Sequence, residues 1–104
     1  MNTAHEVHID LGGRFCEVDP GELFIGEGDT VTFVNKTKDV VRIFFGGSEP
    51  LGKDLIDLPP EERSGPLVVR SPEKTPKTYQ YAVYSAARRA FGVGGSNPRI
   101  IVLR

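Results

Sequence analysis

Glycine and proline divide this chain into short runs, and that division constrains its fold more than any other feature. Twelve glycines and eight prolines occur in 104 residues, and no helical period of apolar residues is sustained between them. The runs themselves are rich in β-branched and aromatic residues, which favour strands. Short strands separated by turn residues are typical of an all-β sandwich or barrel.

Alternation of apolar and polar residues identifies the strands. The first run directs Val7 and Ile9 to one face, and the run TVTFVN at 30–35 directs Val31 and Phe33 toward the core. Further strands are predicted at 15–18, 22–25, 40–45, 67–70, 79–84 and 100–103. We therefore expect one domain, residues 1–104, built from seven to eight strands.

The run 40–45 has two different faces. Val41 and Ile43 share the face expected to be buried, whereas Arg42 marks the solvent side. Successive side chains of a strand point to opposite faces, so Phe44 lies on the same side as Arg42. We expect Phe44 to be partly exposed.

Two segments show no clear strand pattern. We expect the segment 46–64 to cross from one sheet to the other with at most one helical turn, near 57–63. The second segment is the loop 86–98, in which alanine and arginine precede several glycines. One helical turn is expected at 86–90, and Gly92 and the glycines after it would end that turn.

The net charge limits the partners of the chain. Its 13 basic and 14 acidic residues give a formal charge of -1, which argues against nucleic-acid binding by bulk electrostatics. The charge is uneven, however, because the C-terminal end from position 83 carries four arginines and no acid. That end is either a solvated surface or a weak binding site for anions or nucleic acid.

A single cysteine, Cys16, excludes an internal disulfide and fits a reducing compartment. The chain contains no apolar run of the length that a membrane span needs, and no charged segment followed by an apolar run at its start. We therefore expect a cytoplasmic domain without a membrane partner.

Three segments in order resemble the cupredoxin family. The run EGDTVTFVN at 27–35 is similar to that family's GDTVTFVN strand, TYQY at 78–81 is similar to its G-T-Y-x-Y strand, and RIIV at 99–102 follows a loop as its last strand does. The resemblance covers nearly the whole chain, and it implies a Greek-key β-sandwich of two sheets.

The resemblance also implies where copper would lie, and those positions carry other residues. Cupredoxins use a histidine soon after the GDTVTFVN strand, then a cysteine, a histidine and usually a methionine around the loop between the last two strands. Here the segment 36–41 has no histidine, the cysteine position is Val83, and 85–96 contains neither histidine nor methionine. The blue-copper site with two histidines and one cysteine cannot form at its usual place, so we expect no cofactor.

A non-standard metal site is the alternative, formed by His5, His8 and Cys16. On a strand the odd spacing of the two histidines sends them to opposite faces, and a lone cysteine beside apolar residues is more often a small buried hydrophobe. We therefore predict no metal site, although copper handling or electron transfer through these residues is an alternative function.

Catalytic motifs are equally absent from the sequence. A nucleophilic serine needs a histidine and an orienting acid nearby, yet both histidines lie in the first strand and neither Ser85 nor Ser96 has the context of a nucleophile elbow. We predict that the protein is not an enzyme.

The loop 86–98 is the best candidate for function. Arg88 and Arg89 offer guanidinium groups for carboxylates or phosphates, and Phe91 offers an apolar anchor of the kind found at protein interfaces. We predict a contact surface for another protein or a fused domain, formed by these three residues with Phe44 and Arg99. The simpler interpretation is that Phe91 packs into the end of the sandwich and the arginines are solvated.

Overall fold

The structure, a computed structural model, describes residues 3–12, 15–47, 50–70, 77–85, 90–93 and 98–103. Eleven strands lie in these ranges, and no helix in the same ranges is long and apolar enough to cross a membrane. The strands are β1 (Ala4–Gly12), β2 (Phe15–Asp19), β3 (Glu22–Gly26), β4 (Thr30–Asn35), β5 (Val41–Phe44), β6 (Leu55–Leu58), β7 (Leu67–Val68), β8 (Lys77–Gln80), β9 (Ala82–Ser85), β10 (Ala90–Val93) and β11 (Arg99–Leu103).

Two sheets enclose one hydrophobic core. Eight strands form a sheet in the order β6-β5-β9-β10-β2-β1-β4-β7, and the other three form a sheet in the order β3-β11-β8. The core draws Ile43 and Val83 from the first sheet and Ile25 and Ile100 from the second. Two packed β-layers around a common core confirm the predicted β-sandwich.

Strand β4 lies at the centre of the core. Val31 and Phe33 are fully buried, as their alternation predicts, and the parallel partner strand β1 places Val7 opposite Phe33. The ring of Phe33 lies 5.8 Å from that of Phe45 and 5.7 Å from that of Tyr81, centroid to centroid. These three rings pack in tilted and edge-to-face geometries, which aromatic quadrupoles favour.

Strand β6 corrects the prediction for the segment 46–64. Residues 55–58 pair antiparallel with β5, and Arg63 forms an isolated antiparallel bridge with Val34 of β4. No helical turn forms at 57–63, where β6 is followed by a tight turn in which the Glu62 N–H donates to the carbonyl of Pro59 at 3.3 Å. The predicted crossing to the other sheet is wrong, because β5, β6 and β7 belong to the same eight-stranded sheet. Such pairing depends on distant partners, which overrule the local sequence pattern.

The run predicted as one strand at 79–84 is two strands on different sheets. Strand β8 pairs with β11, whereas β9 pairs with β5. The chain crosses between the sheets at Tyr81, whose backbone N–H donates a hydrogen bond to the carbonyl of Pro98 at 3.0 Å. This crossover, with β6 and β10, raises the strand count above the seven to eight expected.

Candidate functional site

Val83 occupies the position where the cupredoxin resemblance implies a copper-binding cysteine. It lies in the middle of β9, opposite Ile43 of β5, and its side chain is fully buried in the hydrophobic core. The position therefore carries an aliphatic side chain surrounded by apolar residues.

The segment after β4, where that family places its first histidine, is fixed by the buried side chain of Asn35. Its Nδ2 donates to the backbone carbonyls of Asp39, Leu58 and Pro59 at 2.9, 3.1 and 2.9 Å. Its Oδ1 accepts hydrogen bonds from the Thr37 backbone N–H at 2.9 Å and from the Thr37 hydroxyl at 2.7 Å. One amide thus connects the end of β4, the following turn and the end of β6.

Sequence reasoning missed this network, although the signal was present. Alternation along β4 puts positions 31, 33 and 35 on the same buried face. A polar residue at the third of these positions must satisfy its hydrogen bonds inside the protein. The Asn35 side chain does so with the backbone around it.

Strand β10 lies within the loop 86–98. It pairs antiparallel with β9, where Phe91 lies opposite Tyr84, and parallel with β2, where Gly92 lies opposite Cys16. A strand therefore runs through the part of the loop that was expected to be broken by glycine, because both of its neighbours offer backbone partners. The proposed helical turn falls mostly at 86–89, outside the described residues.

The structure describes the side chains of two of the five predicted site residues, Phe44 and Arg99. Arg88 and Arg89 lie outside the described residues, and for Phe91 only the backbone is described. Phe44 is 39% exposed, which confirms the expected partial exposure. Arg99 lies on β11 in the other sheet, so the structure does not bring it next to Phe44.

Phe44 belongs to an exposed apolar surface that we call the β5 face, made of the outward side chains of β5 and its neighbours. Val40 and Leu55 are 49% and 42% exposed, and a pocket of about 320 Å³ opens on this face beside Val40. The pocket is lined by Val40, Arg42, Phe44, Asp57 and Tyr84. Clustered aromatic and aliphatic side chains around an arginine are typical of protein-binding surfaces.

An ion pair between Arg42 and Asp57 lies at the centre of the β5 face. Arg42 donates from Nε to Asp57 Oδ1 at 2.6 Å and from Nη2 to Oδ2 at 3.1 Å. The hydrogen bond from Arg42 lowers the pKa of Asp57, and the same contact raises the pKa of the guanidinium. The pair neutralises both charges, so the surface around it is apolar with no net charge from these two residues.

Arg99 is engaged in an ion pair of its own. It lies opposite Glu22 of β3 in the register of the three-stranded sheet, and its Nε and Nη2 lie 2.7 and 2.6 Å from Glu22 Oε2. This arginine therefore fastens β11 to β3 on the outer face of the smaller sheet.

The two histidines bind separate carboxylates. His5 Nε2 lies 3.0 Å from Asp29 Oδ2, and His8 Nε2 lies 3.0 Å from Glu6 Oε1. Across the described ranges, no three histidine, cysteine, aspartate or glutamate side chains are grouped to hold a metal ion. The side chain of Cys16 lies outside the described residues.

The carboxylate of Asp29 accepts hydrogen bonds from two separate segments of the chain. Its oxygens accept hydrogen bonds from the backbone N–H groups of Gly26 and Thr3, both at 2.9 Å, besides the contact with His5. These hydrogen bonds, from Gly26 first and then Thr3 and His5, lower the pKa of Asp29 to about 2. The ionised carboxylate thus fastens the start of β1 to the turn before β4.

The fold is that of the cupredoxins. The similar solved structures are variants of amicyanin: a methionine-to-alanine variant with Cu(I), a reduced tryptophan-to-tyrosine variant and a reduced proline-to-phenylalanine variant. Their sequence identities are 22%, 19% and 19%, with TM-scores of 0.59, 0.60 and 0.60. The matches cover 95%, 93% and 95% of this chain and 81%, 79% and 81% of the amicyanin chains.

This likeness confirms the cupredoxin-like fold that the sequence resemblance predicted. No family model matches the chain, and no curated protein matches it. At this identity the similarity defines the fold alone.

Proposed function

We propose that this domain is a non-enzymatic, copper-free member of the cupredoxin fold that acts in the cytoplasm by binding another protein or a fused domain. The observation that carries the proposal is the replacement of the implied cysteine by Val83, which is fully buried. A core valine offers no ligand to copper, and the buried polar groups on the same face, the hydroxyls of Tyr81 and Ser85, are not the thiolate or imidazole ligands of a blue-copper site.

Two further features support the absence of copper. The turn after β4 is held by Asn35, whose hydrogen bonds to three carbonyls and to Thr37 occupy all its polar atoms. Each histidine already contacts a carboxylate, and the strand geometry of β1 directs His5 and His8 to opposite faces. The copper-handling alternative would need these two side chains to converge.

The contact surface that we propose combines the β5 face with the loop 86–98. The two regions are continuous through Tyr84, which lies opposite Arg42 on one side and Phe91 on the other. Phe44 and Leu55 supply exposed apolar area on this surface. We also include Arg88 and Arg89 of this loop in the proposed surface, because guanidinium groups suit a partner's carboxylates.

Copper titration tests the first half of the proposal. Metal-free protein titrated with Cu(I) and Cu(II) should show no stoichiometric binding and no thiolate-to-copper absorption. A tight equimolar complex would overturn the copper-free assignment.

Matched surface variants test the second half. Proteins cross-linked to the wild-type domain in cells should be lost with Phe44→Ser and with Arg88→Ala/Arg89→Ala, because these changes remove the proposed contacts. Phe24→Ser is the control, since Phe24 is 54% exposed but lies on the three-stranded sheet. Equal capture by all variants would contradict this surface, and cell fractionation checks the cytoplasmic location.

A further inference from the structure

The two ends of the eight-stranded sheet line one groove. Strands β6 and β7 are the terminal strands of that sheet. A groove of about 410 Å³ has residues 55–58 of β6 on one wall and residues 62–65 with Leu67 of β7 on the other. The sheet therefore curls until its free edges face each other without pairing.

Within the described part of the chain, β6 pairs with a strand on one side only, and its other side faces this groove. Residues of β5 and β6 pair with a constant register in which Phe44 lies opposite Leu55, and Phe45 donates to the carbonyl of Asp54 at 2.9 Å. In an antiparallel pair the hydrogen-bonded positions alternate with positions whose N–H and C=O point outward. Leu55 and Asp57 occupy the outward-pointing positions.

The opposite wall also has backbone groups that point away from its neighbouring strand. The carbonyl of Glu62 accepts from Asn35 N–H and Ser64 N–H donates to the carbonyl of Phe33, both at 2.8 Å, so the backbone groups of Arg63 between them point away from β4. Further along, Val69 N–H donates to the carbonyl of Asp29 at 2.8 Å. By the same alternation, the N–H and C=O of Val68 point outward.

Apolar side chains from both walls line part of the groove. Ile56 from one wall and Leu67 from the other are only partly buried, and both pack against the hydrophobic core. Two basic and two acidic residues also line the groove: Lys53, Arg63, Asp57 and Glu62. An extended chain in the groove would cover the two apolar side chains with one face and present its other face to water.

We propose that this groove binds an extended segment of a partner protein, which adds as a strand between β6 and β7. The partner segment has an uncharged apolar side chain at the position that faces Ile56 and Leu67, and its backbone bonds to both walls. This proposal rests on the interaction role proposed above and names a second surface for it. The groove would bind its partner through backbone hydrogen bonds, whereas the β5 face would bind through side chains.

The occupant is an extended segment because the groove has two walls. A strand within it must offer free backbone groups on both sides, and only an isolated strand does so. The edge strand of a second folded copy has one free side. The edge strand of a folded copy could therefore bond to only one wall, whereas an isolated strand can bond to both.

The test uses random nine-residue peptides displayed on phage and selected on the wild-type domain. Leu55→Pro and Val68→Pro each remove one outward N–H, and both are expected to weaken the selected peptides by about fivefold or more. Leu55→Thr and Val68→Thr alter the same side chains but keep the N–H, and they should retain binding. Phe44→Ser should retain peptide binding too. Loss of peptide binding in the proline variants therefore tests the groove, whereas loss of a partner in Phe44→Ser tests the β5 face.

Amide hydrogen exchange on the wild-type protein provides a second measurement that needs no variant. A bound peptide should slow exchange at Leu55, Asp57, Arg63 or Val68, the positions whose N–H groups face the groove. The proposal is overturned if selection yields no peptide, if threonine weakens binding as much as proline, or if the bound peptide protects none of these amides. If these amides become protected without peptide as the protein concentration rises, the groove binds a second copy of the domain, and the proposal is overturned.

Discussion

The Asn35 side chain accepts two hydrogen bonds from Thr37, one from its backbone N–H and one from its hydroxyl. The same side chain donates to the carbonyl of Asp39, in the turn between β4 and β5, and to the carbonyl of Leu58, at the end of β6. The contacts join segments that are 23 positions apart in the chain. A single buried amide therefore fixes the end of the sandwich where the fold family would otherwise place copper.

Replacement of Asn35 by alanine should lower the free energy of unfolding by about 3 kcal/mol, because several buried backbone carbonyls lose their donor. Chemical denaturation monitored by circular dichroism measures the change. Lys36→Ala is the neighbouring control, since Lys36 is exposed, and it should leave stability nearly unchanged. A loss equal to that of the control would show that the network contributes little.

Removal of either of two buried hydroxyl groups should stabilise the protein. The hydroxyls of Tyr81 and Ser85 have no hydrogen-bond partner within the described part of the chain. A buried polar group without a partner costs about 1 to 3 kcal/mol. Tyr81→Phe and Ser85→Ala should each raise the free energy of unfolding by about 1 kcal/mol in thermal or urea denaturation.

Phe33→Ala serves as the contrasting core variant, because it removes the ring that contacts both Phe45 and Tyr81. It should cost about 3 to 5 kcal/mol. If Tyr81→Phe instead destabilised the protein, a bound water or an alternative partner for the hydroxyl would have to exist.

Burial also raises the pKa of Tyr81 above the usual range of tyrosine. A raised pKa of an acid means that its neutral form is favoured in the folded state, so this contribution to stability is present below pH 10 and is lost as pH rises beyond it. Ultraviolet titration should show ionisation of Tyr81 only together with alkaline unfolding. Ionisation of Tyr81 in the folded protein, before unfolding, would contradict the buried environment.

Acid should weaken the domain through Asp29. Its pKa of about 2 in the folded protein lies below the ordinary aspartate value of 3.8, so the unfolded state binds a proton at a pH where the folded state does not. The stabilisation is complete above about pH 4 and is lost as pH falls toward 2. Denaturation midpoints measured across that window should fall with pH, and Asp29→Asn should have a flatter profile and lower stability at neutral pH.

Local patterns predicted the parts of the fold that depend on one strand's own alternation. Val31 and Phe33 in β4 and the exposed Phe44 in β5 follow directly from the period of two. Strand β10 could not be predicted, because Ala90 to Val93 has no strong strand propensity and is held by two neighbours that are distant in sequence. The crossover at Tyr81 was missed for a similar reason, since an unbroken alternation does not reveal that a strand changes sheets.

The sequence predicted which residues a copper site would lack, but it did not predict the groove between β6 and β7. The residue types at the implied ligand positions are visible in the sequence, whereas the full burial of Val83 is known only from the structure. The groove between β6 and β7 depends on the curvature of an eight-stranded sheet, which no local motif encodes. Surfaces of this kind arise from pairing and register, so they become visible only when the strand order is known.

Restoring the cysteine alone should not restore copper chemistry. Val83→Cys places a thiol at the implied ligand position, but the turn after β4 offers Asn35 and Thr37 in place of a histidine, and both are engaged in hydrogen bonds. We expect Cu(II) titration of Cys16→Ser/Val83→Cys to give no intense thiolate-to-copper band. The core should tolerate the smaller side chain at a cost of about 1 kcal/mol, and a folded variant that did turn blue would show that neighbouring residues supply the missing ligands.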